Sequence, residues 1–163
     1  MRGTDKFLIG IVVGVVALVA VAFAVTLTRP EPTYQDEDAA EGVAFNYLLA
    51  LQKKDYGRAL GYLSPGLPGR PDSAIQLEDD IQYYGWNFRA DTNSTLAIQS
   101  TSLSGMRAVV VVQESTFYGG DIFNTGQQIN IFEMDLHLIA GDWVIEDGDY
   151  YFARCWKEDD GCP

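Results

Sequence analysis

The chain has a single histidine, His137, and only two cysteines, Cys155 and Cys162, in 163 residues. One imidazole and two thiols do not make the spaced ligand set of a zinc site, so no metal and no other cofactor is expected. Basic residues are also few. Eleven Lys and Arg stand against 23 Asp and Glu, and the formal charge of −12 repels a phosphate backbone. Nucleic acid is therefore excluded as a partner. The chain contains no nucleophile motif, phosphate loop or nucleotide fingerprint; Gly119-Gly120 lacks the lysine such a loop requires and reads as a turn. No catalytic residue is assigned, and the expectation is a protein that is not an enzyme.

One stretch lacks charge altogether. Phe7 to Thr28, FLIGIVVGVVALVAVAFAVTLT, is 22 uncharged residues. At about 1.5 Å per residue such a helix spans a bilayer core of roughly 30 Å. Ala22-Phe23-Ala24 has the form of a signal-peptide cleavage site. The apolar run before it nevertheless exceeds the roughly 7 to 15 residues of a signal peptide and continues through Val25 and Leu27. A retained, single-pass anchor is the expectation. Arg2 and Lys6 precede the run, whereas Glu31, Asp36, Glu37, Asp38 and Glu41 follow it with Arg29 as the mild counter-signal. This charge bias puts the N-terminus in the cytoplasm and the C-terminal part outside the cell membrane, periplasmic or extracellular. Gly10, Gly14, Ala17, Ala20 and Ala24 form a ridge of small residues on the helix, suited to close approach by other transmembrane subunits. The competing explanation is that Gly and Ala are simply common in membrane helices.

The expected organisation is a cytoplasmic N-terminus at 1–6, the span at 7–28, a proline-containing spacer at 29–35 and one extracytoplasmic domain at 36–163. Beyond the membrane the balance is 9 basic against 22 acidic residues, or −13. Such a surface favours cations or a basic soluble protein, although acidic surfaces also serve solubility alone. In an oxidising compartment Cys155 and Cys162 are placed to close a short disulfide loop.

Within the domain, Asp36-Glu37-Asp38 reads as an acidic helix start, with Val43, Tyr47, Ala50 and Leu51 recurring at helical spacing. A shorter helix begins at Asp55 and stops at the loop 64–69, and a third runs from the Ser73 cap to about Tyr84. After Gly85 the pattern turns strand-like. Runs 95–102 and 107–117 flank a turn, 127–140 is a long strand, Gly141-Asp142 turns into 143–146, and a last short strand is expected at 150–154. The fold class is α+β: after the transmembrane helix, about three helices packed on a curved antiparallel sheet of four to six strands.

The order and spacing of these segments resemble the nuclear transport factor 2-like, cystatin-like superfamily of α+β cones. The residues that carry the likeness are Ala44-Phe45-Asn46-Tyr47-Leu48-Leu49-Ala50-Leu51, Asp55-Tyr56-Gly57-Arg58-Ala59-Leu60 with Leu63-Ser64-Pro65, Phe132 to Leu138, and Gly141-Asp142-Trp143-Val144-Ile145. They span roughly 36–147, and no single motif among them is specific. The resemblance implies a bent sheet wrapping the helices, with a pocket at the wide end of the cone. Members resembling ketosteroid isomerases or dehydratases use that pocket for acid-base chemistry, and many others only bind. Membrane-tethered bacterial members often have no catalytic set, which is what this chain looks like.

Three constellations bear on chemistry. Glu133, Asp135 and His137 alternate along one predicted strand and share a face opposite the apolar Phe132, Met134, Leu136 and Leu138. They read as facing solvent or a partner rather than as a metal or acid-base set. Asp79 and Asp80 adjoin Tyr83 and Tyr84, an acid-phenol pairing that would matter only if buried. Aromatics gather at Tyr83, Tyr84, Trp86 and Phe88, and again at Tyr150, Tyr151, Phe152 and Trp156; the second cluster reads either as core or as partner contacts. The expected function is a non-catalytic accessory subunit of a larger membrane assembly, for example an electron-transfer or other energy-converting one. The alternatives are a tethered cone binding a small apolar ligand, and an isomerase- or dehydratase-like enzyme.

Overall fold

The computed structural model describes residues 4–27, 32–84, 94–119 and 125–163. Two compact units divide the sequence between Thr33 and Tyr34. The first holds α1, Thr4–Leu27, in which Phe7–Ala24 is long and apolar enough to cross a membrane. None of that window is buried within the chain, and Phe7 and Leu18 are each 72% exposed. Val and Ile are weak helix formers in water, and a helix satisfies its backbone bonds within its own segment. Thr28 and the residues up to Glu31 lie outside the described residues.

The second unit is α+β. It runs α2 (Ala40–Gln52), α3 (Tyr56–Tyr62), α4 (Ala74–Tyr84), β1 (Ser94–Ser104), β2 (Arg107–Gly119), β3 (Thr125–Ile139), β4 (Asp142–Gly148) and a 3-10 helix, Arg154–Lys157. The strands form one antiparallel sheet in the order β1-β2-β3-β4, with register shifts at Ile98/Ser100 and Asp135/Leu136. Four strands are present among the described residues, the low end of the expected range. An isolated parallel bridge ties Leu63 to Ile145.

Helix α2 is apolar almost all round and is accordingly the central element. Ala44, Tyr47, Leu48, Leu49, Ala50 and Leu51 are all at most 3% exposed. All of these but Leu49 join one core with the inward row of β2, Ala108, Val110 and Val112, and of β3, Phe132, Met134 and Leu136. The period-2 alternation of those strands puts one apolar row on one face. Each large side chain so buried contributes roughly 1.5–3 kcal/mol.

Four local expectations are corrected. Helix α2 starts at Ala40, not at Asp36. The acidic segment before it is instead a strap lying against the helix: Gln35 exchanges two hydrogen bonds with the buried Asn46 side chain, at 2.7 and 2.9 Å. The Asp36 carbonyl comes so close to Gly42 that a Cβ there would lie 1.8 Å from it, so only glycine fits. Tyr34 and Gln35, assigned above to the spacer, thus belong to the folded unit. The β3-β4 turn is Ala140-Gly141, one residue earlier than expected, with both residues at positive φ. Finally, 150–154 is no strand, because Tyr151 takes a φ of 63° that breaks an extended run before the 3-10 turn.

That C-terminal segment folds back into the core. Trp156 is fully buried, and its carbonyl accepts from the Gly69 N–H at 3.0 Å. A Cβ at Gly69 would fall 2.5 Å from the Cys155 carbonyl oxygen and 2.5 Å from the Gly161 Cα. Cys155 and Cys162 are joined in a disulfide with Cα atoms 4.9 Å apart, closing the loop that presses on Gly69.

Candidate functional site

Three polar centres lie in the second unit. The most buried is Glu114, 1% exposed on the inward face of β2, beyond Val110 and Val112 in the same row. Its Oε1 accepts from the Tyr151 hydroxyl, whose backbone carbonyl in turn accepts from the Tyr47 hydroxyl at 2.5 Å. Burial pushes the Tyr47 phenol well above its ordinary range, so it stays a neutral donor. Glu114 Oε2 is buried without a hydrogen-bond partner among the described residues. An unsatisfied buried oxygen costs about 1–3 kcal/mol and calls for an explanation beyond packing.

The second centre joins α4 to the 3-10 helix. Asp80, 5% exposed, accepts from the Trp156 indole N–H at 2.8 Å. Burial pushes its carboxyl up, the indole pulls it down, and neighbouring Asp79 adds to the rise. Asp79 is exposed and Tyr83 is 75% exposed, while the Tyr84 hydroxyl bonds the Pro163 carbonyl. The four residues therefore do not share a pocket.

The third centre is the polar rim of an open groove of about 740 Å³ between α3, the loop after it and the β3-β4 turn. Glu37 Oε1 accepts from Tyr62 Oη at 2.6 Å and from the Arg58 guanidinium at 2.8 Å, and those two bonds hold its carboxyl below the usual range. Arg58 also donates through Nε to Tyr62 Oη at 2.8 Å and lies 3.6 Å from the Tyr34 ring centroid. Asp55 caps α3 by accepting from the Arg58 N–H at 3.2 Å.

The residues singled out from sequence fall as follows. Glu133 and Asp135 are exposed opposite the buried Phe132, Met134 and Leu136, and half-buried His137 pairs with Glu146 at 3.1 Å. No three His, Cys, Asp or Glu side chains gather into a metal-binding group among the described residues. Tyr151, Phe152 and Trp156, weighed above as partner contacts, are core residues no more than 1% exposed; only Tyr150 remains half-buried. Phe132 stacks obliquely on Tyr150 and Tyr151, and Phe152 meets Trp156 edge-on. A partner cannot reach side chains that fill their own core. Trp86 and Phe88 lie outside the described residues. Gly10 and Gly14 have open space around them, and Ala17, Ala20 and Ala24 are exposed on α1.

Glu114 was missed from sequence although its signal was there: it continues the alternation of Val110 and Val112, two residues on. Asp80, which the sequence did single out, sits three residues after Leu77, on the helix face that turns inward.

No family model and no curated protein matches the chain. Among solved structures, it is similar to a SEC-C motif containing protein from Rhodopseudomonas palustris, with a TM-score of 0.49 and 15% identity over 72% of this chain and 83% of that one. It is also similar to the intermembrane space region of the chloroplast protein ARC6, with a TM-score of 0.37 and 14% identity over 73% of this chain and 98% of that one. Fold and site together define a class: an α+β domain with one hydrophobic core, preceded by an apolar N-terminal helix.

Proposed function

We propose that this protein is a single-pass, membrane-anchored accessory subunit whose α+β domain faces outward as a nuclear transport factor 2-like cone and works by binding rather than by catalysis. The observation that carries this reading is the Phe7–Ala24 window, a helix long and apolar enough to cross a membrane. Eighteen apolar residues need lipid or other helices around them. The ridge from Gly10 to Ala24 is the surface on which a neighbouring transmembrane subunit packs. The disulfide suits an oxidising, extracytoplasmic side. The register shifts in β1 and β3 support a curved sheet, because such irregularities bend a strand. The acidic domain steers a basic soluble partner to the assembly. Purification of the intact chain in mild detergent is expected to bring transmembrane partners with it; a lone monomer at every detergent concentration would refute the accessory role.

One observation favours a second reading, a tethered cone that holds a ligand. Glu114 Oε2 is a buried acceptor without a partner among the described residues, and a ligand with a hydrogen-bond donor would satisfy it. Native mass spectrometry of the intact protein would reveal such a molecule, and a bare mass would count against it.

A further inference from the structure

We propose that the groove between α3 and the β3-β4 turn binds a small amphipathic carboxylate, with Arg70 as its anchor. Two observations converge there. First, the walls are largely apolar: Pro65, Ile139, Val144 and the half-buried Trp143 line a space of about 740 Å³. That volume lies within the range of roughly 300–1,000 Å³ typical of small-molecule sites, which favours a compact ligand over a folded partner. Second, the cations in it are not equivalent. Arg58 is committed to Glu37, to Tyr62 and to the Tyr34 ring. Arg70, half-buried, donates only to the backbone carbonyls of Leu60 at 2.8 Å and Leu63 at 3.4 Å, and has no ion-pair partner among the described residues.

A domain with 22 acidic side chains outside the anchor leaves this guanidinium without one of them. The two carbonyl bonds fix its plane while its charge stays uncompensated at the groove wall. A guanidinium offers a planar fork that matches a carboxylate in two parallel hydrogen bonds, which a point cation cannot do. Trp143 supplies a flat apolar face for the ligand's body. Glu37 is neutralised within the rim by Arg58, which leaves exposed Asp142 as the acid in the groove that opposes an anion.

The test is calorimetric titration of the full chain in lipid nanodiscs with 2-naphthoate, with the uncharged 2-naphthamide and empty nanodiscs as controls. Naphthoate is expected to bind at least about tenfold more tightly than naphthamide, the value of one charge-assisted contact of about 1.4 kcal/mol. Arg70→Gln is expected to remove that preference. Because Arg70 also braces the end of α3, Asp142→Asn provides a second reading at an exposed position that no core contact depends on; it is expected to tighten naphthoate several-fold and leave naphthamide unchanged. Equal binding of the two probes, no saturable binding of naphthoate, or a preference indifferent to both substitutions would overturn the proposal. So would binding of a peptide ending in Phe-carboxylate with no binding of naphthoate, which would assign the groove to a partner's chain end.

Discussion

Replacing Trp156 with Phe tests how the C-terminal segment is held. The substitution removes the indole N–H that Asp80 accepts at 2.8 Å, in a site where Asp80 is 5% and Trp156 0% exposed. A hydrogen bond to a charged acceptor contributes about 1.5–3 kcal/mol, and the smaller ring leaves a void worth about 1 kcal/mol more. The expected loss is about 3 kcal/mol at neutral pH, or roughly 10 °C in Tm for a domain of this size. The pH dependence carries the sharper content. Burial raises the folded-state pKa of Asp80 above its unfolded value, so the folded form binds the proton more tightly. Stability from this group is therefore highest below the unfolded pKa and falls as pH rises through the folded one. The indole opposes that rise, so its removal widens the window and deepens the fall. The deficit of Trp156→Phe is expected to be largest at pH 7 and to shrink toward pH 4, measured by urea unfolding with near-ultraviolet circular dichroism. A deficit equal at both pH values would refute the assignment of a buried, charged Asp80.

Three further predictions concern the same core. Tyr151→Phe deprives Glu114 of its hydroxyl donor and is expected to cost about 1–3 kcal/mol, most of it recovered in the Tyr151→Phe, Glu114→Leu double variant; a denaturation double-mutant cycle with no coupling would contradict this link. Gly69→Ala is expected to destabilise by more than about 2 kcal/mol, because a Cβ cannot sit 2.5 Å from the Cys155 carbonyl oxygen; unchanged urea midpoints would show that the loop yields freely. Reduction of the Cys155–Cys162 bond, which closes a loop with a sequence separation of 7, is expected to cost about 2.5 kcal/mol by chain entropy, read as a shift in unfolding midpoint with reductant.

The elements that sequence made legible are those whose pattern is set by burial on one side. The α3 cap at Asp55, the Ser73 start of α4 and the inward rows of β2 and β3 all follow from local spacing. Where reading by period failed, a long-range contact had displaced the local preference. Asp36 to Asp38 look like a helix start by charge, yet the strap they form is fixed by Asn46 and by the missing side chain of Gly42. Tyr150 to Arg154 look like a strand by composition. Tyr151 instead turns to positive φ so that its hydroxyl reaches Glu114 and its carbonyl accepts from Tyr47, 104 residues away in sequence. The same contact explains why aromatics that suggested an outer surface are core. The groove is the least legible feature, since Arg58, Arg70 and Trp143 meet only after the chain has folded.

Membrane topology tests the central claim most directly. Sealed vesicles or spheroplasts carrying the full chain are washed with alkaline carbonate to score membrane retention, and parallel samples receive protease from the extracytoplasmic side. The account predicts that the chain stays with the membrane, that the folded unit beginning at Tyr34 is accessible, and that the residues before Phe7 are protected. Release of a shortened soluble domain, or protection of that domain from external protease, would contradict it.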